Sequence, residues 1–100
     1  MKIDKSVIQN IKNEIKLTDL AERLGLELRK SGANFVAFCP FHDEKTPSFT
    51  INPQKNLFNC FACNQGGDCI TLYMKMKNKN FKEAVADLQN FFQNNKFFLY

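Results

Sequence analysis

The chain has 100 residues, enough for one compact domain at the roughly 100–200 residues a domain takes and too short for a polymerase- or kinase-sized catalytic body. Its 44% hydrophobic and 24% charged residues, with only four Gly and three Pro, exclude a disordered or fibrous protein, and a net charge of +4 is a mild basic bias compatible with nucleic acid. No apolar run approaches the ~18 residues of a membrane helix and the first ten residues lack the greasy stretch of a secretory signal, so an intracellular, cytoplasmic protein is expected.

Residues 4–15 place Val7, Ile8, Ile11 and Ile15 on one face, which predicts a short amphipathic helix. A second helix is expected to start at Thr18 or Asp19, where Asp19 and Glu22 have capping-box spacing, and to run through Leu20, Ala21 and Leu24 to a stop at Gly25. The period then changes. Residues 26–28 and 35–38 flank a turn at 30–34, and residues 49–52 and 57–61 flank a turn at 53–56, the pattern of two hairpins. A turn is expected at 64–67, after which Asp68 can cap a helix carrying Ile70, Leu72, Tyr73 and Met76. The last helix is announced by Asn80 and Glu83 at capping-box spacing and by Phe81, Ala84, Val85, Leu88, Phe91 and Phe92 on one face. The apolar ending, residues 97–100, either packs back on the domain or marks a cut from a longer chain.

Cys39 and His42 form a C-x2-H pair, and Cys60 and Cys63 follow as a C-x2-C pair after 17 intervening residues, each directly after a predicted strand. Zinc prefers four sulfur or nitrogen donors in a tetrahedron, and two such knuckles can supply two donors each. In a reducing compartment, cysteines at this spacing read as metal ligands rather than disulfides. Four protein ligands leave no position for a catalytic water, so one structural Zn2+ is expected. Cys69 is left over. It reads as a small buried side chain, the alternatives being a fourth ligand in place of His42 or a reactive thiol at a helix N-terminus. Gly66 and Gly67 before a helix resemble a phosphate cradle only superficially, since no Walker-type lysine follows and Asp68 would repel an anion.

The stretch CPFHDEKTPSF at residues 39–49, with Asn34 to Phe38 before it, CFAC at 60–63 and Gly67-Asp68, resembles the CHC2 zinc-binding domain of bacterial-type DNA primases. The resemblance covers most of the chain, about residues 11–88. It implies an α+β fold: one domain over residues 1–100, with a zinc ribbon on a small antiparallel sheet at about 26–70 and flanking helices at about 4–24 and 68–93. It also implies a module that binds single-stranded template DNA and helps select where an RNA primer starts. Its expected partners are the primase polymerase domain, in cis or in trans, and a replicative helicase, with no membrane. Asn64 departs from the glycine usual after the second knuckle, but asparagine tolerates a left-handed turn. The chain carries no Asp-x-Asp pair to hold the two metals of nucleotide transfer, so it is not expected to polymerise alone.

A single strand is gripped by cations along its phosphates and by rings under its bases. Arg29, Lys30, Lys45 and Lys55 are the expected cations, Asn34, Thr46, Ser48 and Asn59 the hydrogen-bonding groups, and Phe58 and Phe61 the stacking rings. Strand alternation puts those two rings on opposite faces, so at least one belongs to the core. Lys75, Lys77, Lys79 and Lys82 form a second basic patch that also reads as an ordinary solvated face. A protein-interaction ribbon docking a polymerase or helicase is the competing function.

Overall fold

The computed structural model describes residues 4–41 and 47–98, with side chains described through residue 90. Helix α1 (Lys5–Glu14) starts where Asp4 accepts a hydrogen bond from the Ser6 N–H at 3.2 Å. Its apolar stripe is the expected one: Ile11 and Ile15 are buried, and Val7 and Ile8 pack against the same cluster. Helix α2 (Leu17–Arg23) begins earlier than expected, and the Asp19–Glu22 capping box does not form, because Lys16 occupies the cap position and Asp19 already lies in the first turn. Its end is as expected. Gly25 adopts φ +100°, its N–H meets the Glu22 carbonyl, and Leu26 reaches back to Ala21, the paired bonds of a Schellman stop.

Five strands follow: β1 (Arg29–Ser31), β2 (Asn34–Ala37), β3 (Phe49–Asn52), β4 (Leu57–Cys60) and β5 (Gln65–Gly67). They pair antiparallel in chain order, each with the next. Two expectations are corrected here. The first strand lies at residues 29–31 rather than 26–28, because Ser31 pairs with Asn34 across a two-residue loop in which Gly32 takes φ +63°. Leu26 and Leu28 instead pack their side chains on the core from the connecting segment. The expected turn at 64–67 is confined to its start. Asn64 takes the left-handed φ of 54°, and residues 65–67 return as a strand against β4. Gly66 suits that pairing, since a Cβ there would stand 2.9 Å from the Phe58 carbonyl oxygen.

Residues opposite one another in register share a face of the sheet. One face carries Ala37, Phe49, Ile51, Phe58 and Cys60, all buried. Phe49 and Phe58 stack at 5.2 Å with an interplanar angle of 20°. The helices lie against this side. Asp68 caps α3 (Cys69–Lys77) by accepting from the Thr71 N–H at 3.0 Å, and Asn78 closes it in the left-handed conformation. Asn80 and Glu83 form the expected reciprocal box at the start of α4 (Phe81–Phe98), with bonds of 3.0 and 2.8 Å. Helix α4 packs on α1 and α3, and Ala84, Val85 and Leu88 join Ile11, Leu20, Ile70 and Leu72 in one core. Burying each large side chain there contributes roughly 1.5–3 kcal/mol. The roles expected for Phe91, Phe92 and residues 97–100 lie outside the described side chains. The architecture is α+β, with helices on one face of an antiparallel sheet and the other face left uncovered by the described residues.

Between the helices and the sheet, Asn56 joins distant parts of the chain. It sits in the β3–β4 turn at φ 57°. Its side-chain oxygen accepts the Leu17 N–H at 2.7 Å, and its side-chain nitrogen donates to the carbonyls of Lys12 and Ile15 at 3.0 and 2.9 Å. Helix ends leave such groups without partners inside the helix. One asparagine therefore caps the end of α1 and the start of α2 together, which explains how α2 begins without a capping side chain of its own.

Candidate metal centre

Three sulfurs converge at one end of the sheet. Cys39 lies two residues past β2, Cys60 ends β4, and Cys63 stands in the tight turn before β5. Their Sγ atoms all lie within 4.8 Å of one another, and Cys39 and Cys63 are 3.5 Å apart. A tetrahedral site with metal–sulfur bonds of about 2.3 Å requires sulfur–sulfur separations of about 3.8 Å, so a small closure movement suffices. Backbone amides already point at the sulfurs: that of Phe41 at Cys39, of Cys63 at Cys60, and of Gln65 at Cys63. The Ser48 hydroxyl adds a contact of 3.6 Å to the Cys60 sulfur. Such donors stabilise thiolates and hold them in orientation for a cation.

The charge balance is consistent with that reading. Burial, reinforced by the hydrogen bond to Cys60, pushes the Cys39 thiol up to about 12. Burial also raises Cys60, but hydrogen bonds from Cys39, Cys63 and Ser48 outweigh it and bring that group down to about 6. Cys63 is raised, by desolvation first and then by Cys60. Without a cation the cluster therefore accepts one negative charge readily and resists the next, whereas a divalent ion would stabilise all three thiolates. The donor set fits zinc. His42, the expected fourth ligand, lies outside the described residues, as do Lys45 and Thr46.

Phe41 anchors the first knuckle, a role the spacing alone does not reveal. Its ring meets Phe49 at 6.2 Å and Phe58 at 6.0 Å, and Lys75 approaches its face at 5.9 Å. Cys69 is elsewhere, fully buried in α3, with its sulfur 3.8 Å from the Ile11 carbonyl. It is the small core side chain that its place in the sequence suggested.

The residues expected to meet DNA separate into different places. Arg29, Val36, Thr50, Asn59 and Gly66 form a cross-strand row over all five strands of the open face, with Asn34 on the same side. Phe61 follows one step past β4, its N–H bonded to the Ser48 carbonyl at 3.1 Å and its side chain 73% exposed. Phe38, which the sequence reading missed, is 55% exposed and shares a shallow pocket with Arg29 and Val36. Its signal was the alternation that buries Ala37. Phe58 is corrected to the core, since its ring is 3% exposed and covered by Phe49. Lys30 turns to the opposite face from Arg29 and lies 5.9 Å over the Phe35 ring. Ser48 serves the Cys60 sulfur rather than the open face. Lys55 lies at the β3–β4 turn, beside α1 and α2.

Comparison with known proteins agrees with this architecture. The CHC2 zinc finger family matches residues 3–97. A DNA primase of Staphylococcus epidermidis is 46% identical over 88 residues, and one of Staphylococcus aureus is 42% identical over the same length. In each case the match covers 88% of this chain and 14% of the relative. The crystal structure of the Aquifex aeolicus primase, comprising zinc-binding and RNA polymerase domains, superposes with a TM-score of 0.82 at 34% identity, over 87% of this chain and 21% of that one. The chain thus spans about a seventh of its curated relatives' length. With its sulfur cluster between two knuckles of a five-stranded sheet, the chain belongs to the CHC2 zinc-finger family.

Proposed function

We propose that this chain is the template-reading module of a DNA primase: it binds single-stranded DNA on the open face of its sheet and helps select where the RNA primer starts. It is non-catalytic by itself and works with a primase polymerase domain in cis or in trans. The observation that carries this reading is the solvent-facing row of Arg29, Asn59 and Gly66, bordered by the exposed rings of Phe38 and Phe61. A cation and amide groups suit phosphates and base edges, and the rings suit base stacking. Family membership and the primase relatives support the same conclusion.

One zinc ion per chain would be held by Cys39, Cys60 and Cys63 with His42 as the fourth donor. When bound, it cross-links the two knuckles and leaves no open coordination position for catalysis. The protein's own contribution is to keep the amides and Ser48 aimed at the sulfurs and to seat Phe41 on the core, so that Phe38 and Phe61 stand rigidly beside ligand residues.

Two assays test the reading. The zinc-loaded protein should bind a single-stranded oligonucleotide more tightly than duplex, with a log–log salt slope of about −1.4 if Arg29 and Lys45 each neutralise one phosphate. Added in trans, it should also stimulate primer synthesis by a primase polymerase domain. Absence of both binding and stimulation would overturn the proposal. The exposed Phe38 and Phe61 also suit a protein-docking ribbon for a polymerase or helicase, and stable complex formation without DNA binding would favour that second reading.

A further inference from the structure

A second basic site lies away from the sheet face, where α1, α2 and the β3–β4 turn meet. They line a half-open cleft of about 510 Å³. Lys12 enters it from α1, Lys16 from the α1–α2 link and Lys55 from the turn, with Asn13, Thr18 and Gln54 completing a polar lining. Among the described residues, no carboxylate and no aromatic ring lines it. Lys12 shares its charge with Asp68 at 3.4 Å, whereas Lys16 and Lys55 have no carboxylate partner among the described residues.

The cleft is built rather than incidental. The three bonds of Asn56 fix the turn to both helix ends. Asn52 stiffens the same turn by accepting the N–H groups of Gln54 and Lys55 at 3.0 and 3.1 Å. The backbone carrying Lys55 is therefore held opposite that carrying Lys12 and Lys16 before any ligand arrives, which lowers the ordering cost of binding.

We propose that this cleft binds phosphate groups, supplied either by the polyphosphate chain of a free nucleotide or by successive phosphodiesters of a nucleic-acid strand. Lysine ammonium groups bind phosphate as point charges, and neighbouring amides and hydroxyls complement its oxygens. The lining offers no stacking surface, so binding is governed by charge and indifferent to base. This assignment removes Lys55 from the sheet-face set and stands independently of the template-reading proposal.

The test titrates zinc-loaded protein with tripolyphosphate and follows amide shifts by two-dimensional NMR. Saturable shifts are expected at Lys12, Asn13, Lys16, Gln54 and Lys55. The K16A/K55A double variant, which changes two exposed side chains, should retain spectral dispersion and zinc content while binding about tenfold or more weakly. The R29A/F61A variant should bind tripolyphosphate unchanged. An oligothymidylate that shifts the cleft amides and is displaced from them by tripolyphosphate identifies a strand as the source. ATP that produces the tripolyphosphate shifts, with an oligothymidylate that shifts only the sheet face and does not compete, identifies a free nucleotide. Absence of saturable cleft shifts, or wild-type affinity in K16A/K55A, would overturn the proposal, whereas failure of the template-reading proposal would appear separately as absent oligonucleotide shifts at Arg29 and Asn59.

Discussion

Asn56 closes two helix ends from a turn 39 to 44 residues further along the chain, so its replacement separates a long-range cap from local propensity. Asn56→Ala removes three hydrogen bonds, each with a net value of about 1 kcal/mol, the more exposed one to Lys12 contributing less. Alanine must also adopt the left-handed φ of 57°, at a cost of about 1 kcal/mol. The sum is about 3–4 kcal/mol, a large fraction of the roughly 5–15 kcal/mol that stabilises an ordinary domain. Urea unfolding of zinc-loaded protein measures it. Asn56→Gly avoids the left-handed cost and should be about 1 kcal/mol more stable than the alanine variant. The reasoning is refuted if Asn56→Ala unfolds within about 0.5 kcal/mol of wild type, the range of an ordinary surface substitution.

Phe61→Ala should weaken single-strand binding by about 1–3 kcal/mol with little change in unfolding, whereas Phe58→Ala should destabilise the fold by about 3–5 kcal/mol. Anisotropy and denaturation run on both variants would contradict the assignment if the two losses were exchanged. Cys69→Ser should retain the wild-type zinc content, and a lost equivalent would place that sulfur among the ligands. Alkaline pH supplies another test. Burial, with Asp68 adding, pushes the Cys69 thiol from 9.0 up to about 12, and burial with the bond to Asp87 pushes Tyr73 from 10.0 up to about 12. The unfolded chain releases these protons first, so stability should fall as pH rises from about 9 towards 12, and a flat urea midpoint over that window would refute the burial argument.

The elements most legible in the sequence carry their own ends. Asn80 and Glu83 lie three residues apart and make both expected bonds, and the stripe of Ile11 and Ile15 needs only helical periodicity. The knuckle cysteines were open to reading by their spacing, which brings Cys60 near Cys63, but it is the pairing of β2 with β3, between the two expected hairpins, that carries Cys39 to them. Alternation also indicated that Phe58 and Phe61 could not both be exposed. Which ring was buried depended on Phe49 across the strand pair, a long-range fact. The same limit applies to Arg29 and Lys30: alternation puts these neighbours on opposite faces, but the register set at the Gly32 turn decides that Arg29 takes the open one. Strand β5 was hidden because Gly66 and Gly67 have turn chemistry, although their missing side chains are what permit close approach to β4 and α3. Asn56 left no local signal at all, its partners being the ends of distant helices.

The most direct measurement is metal content together with the spectrum of the cobalt-substituted protein, in wild type and in single substitutions of Cys39, His42, Cys60 and Cys63. The account predicts one equivalent of zinc per chain and the intense visible absorption of tetrahedral cobalt bound by three sulfurs and one nitrogen, with loss or marked weakening of binding in each substitution. A chain that folds and holds no metal, or a His42→Ala variant with unchanged affinity and spectrum, would contradict it.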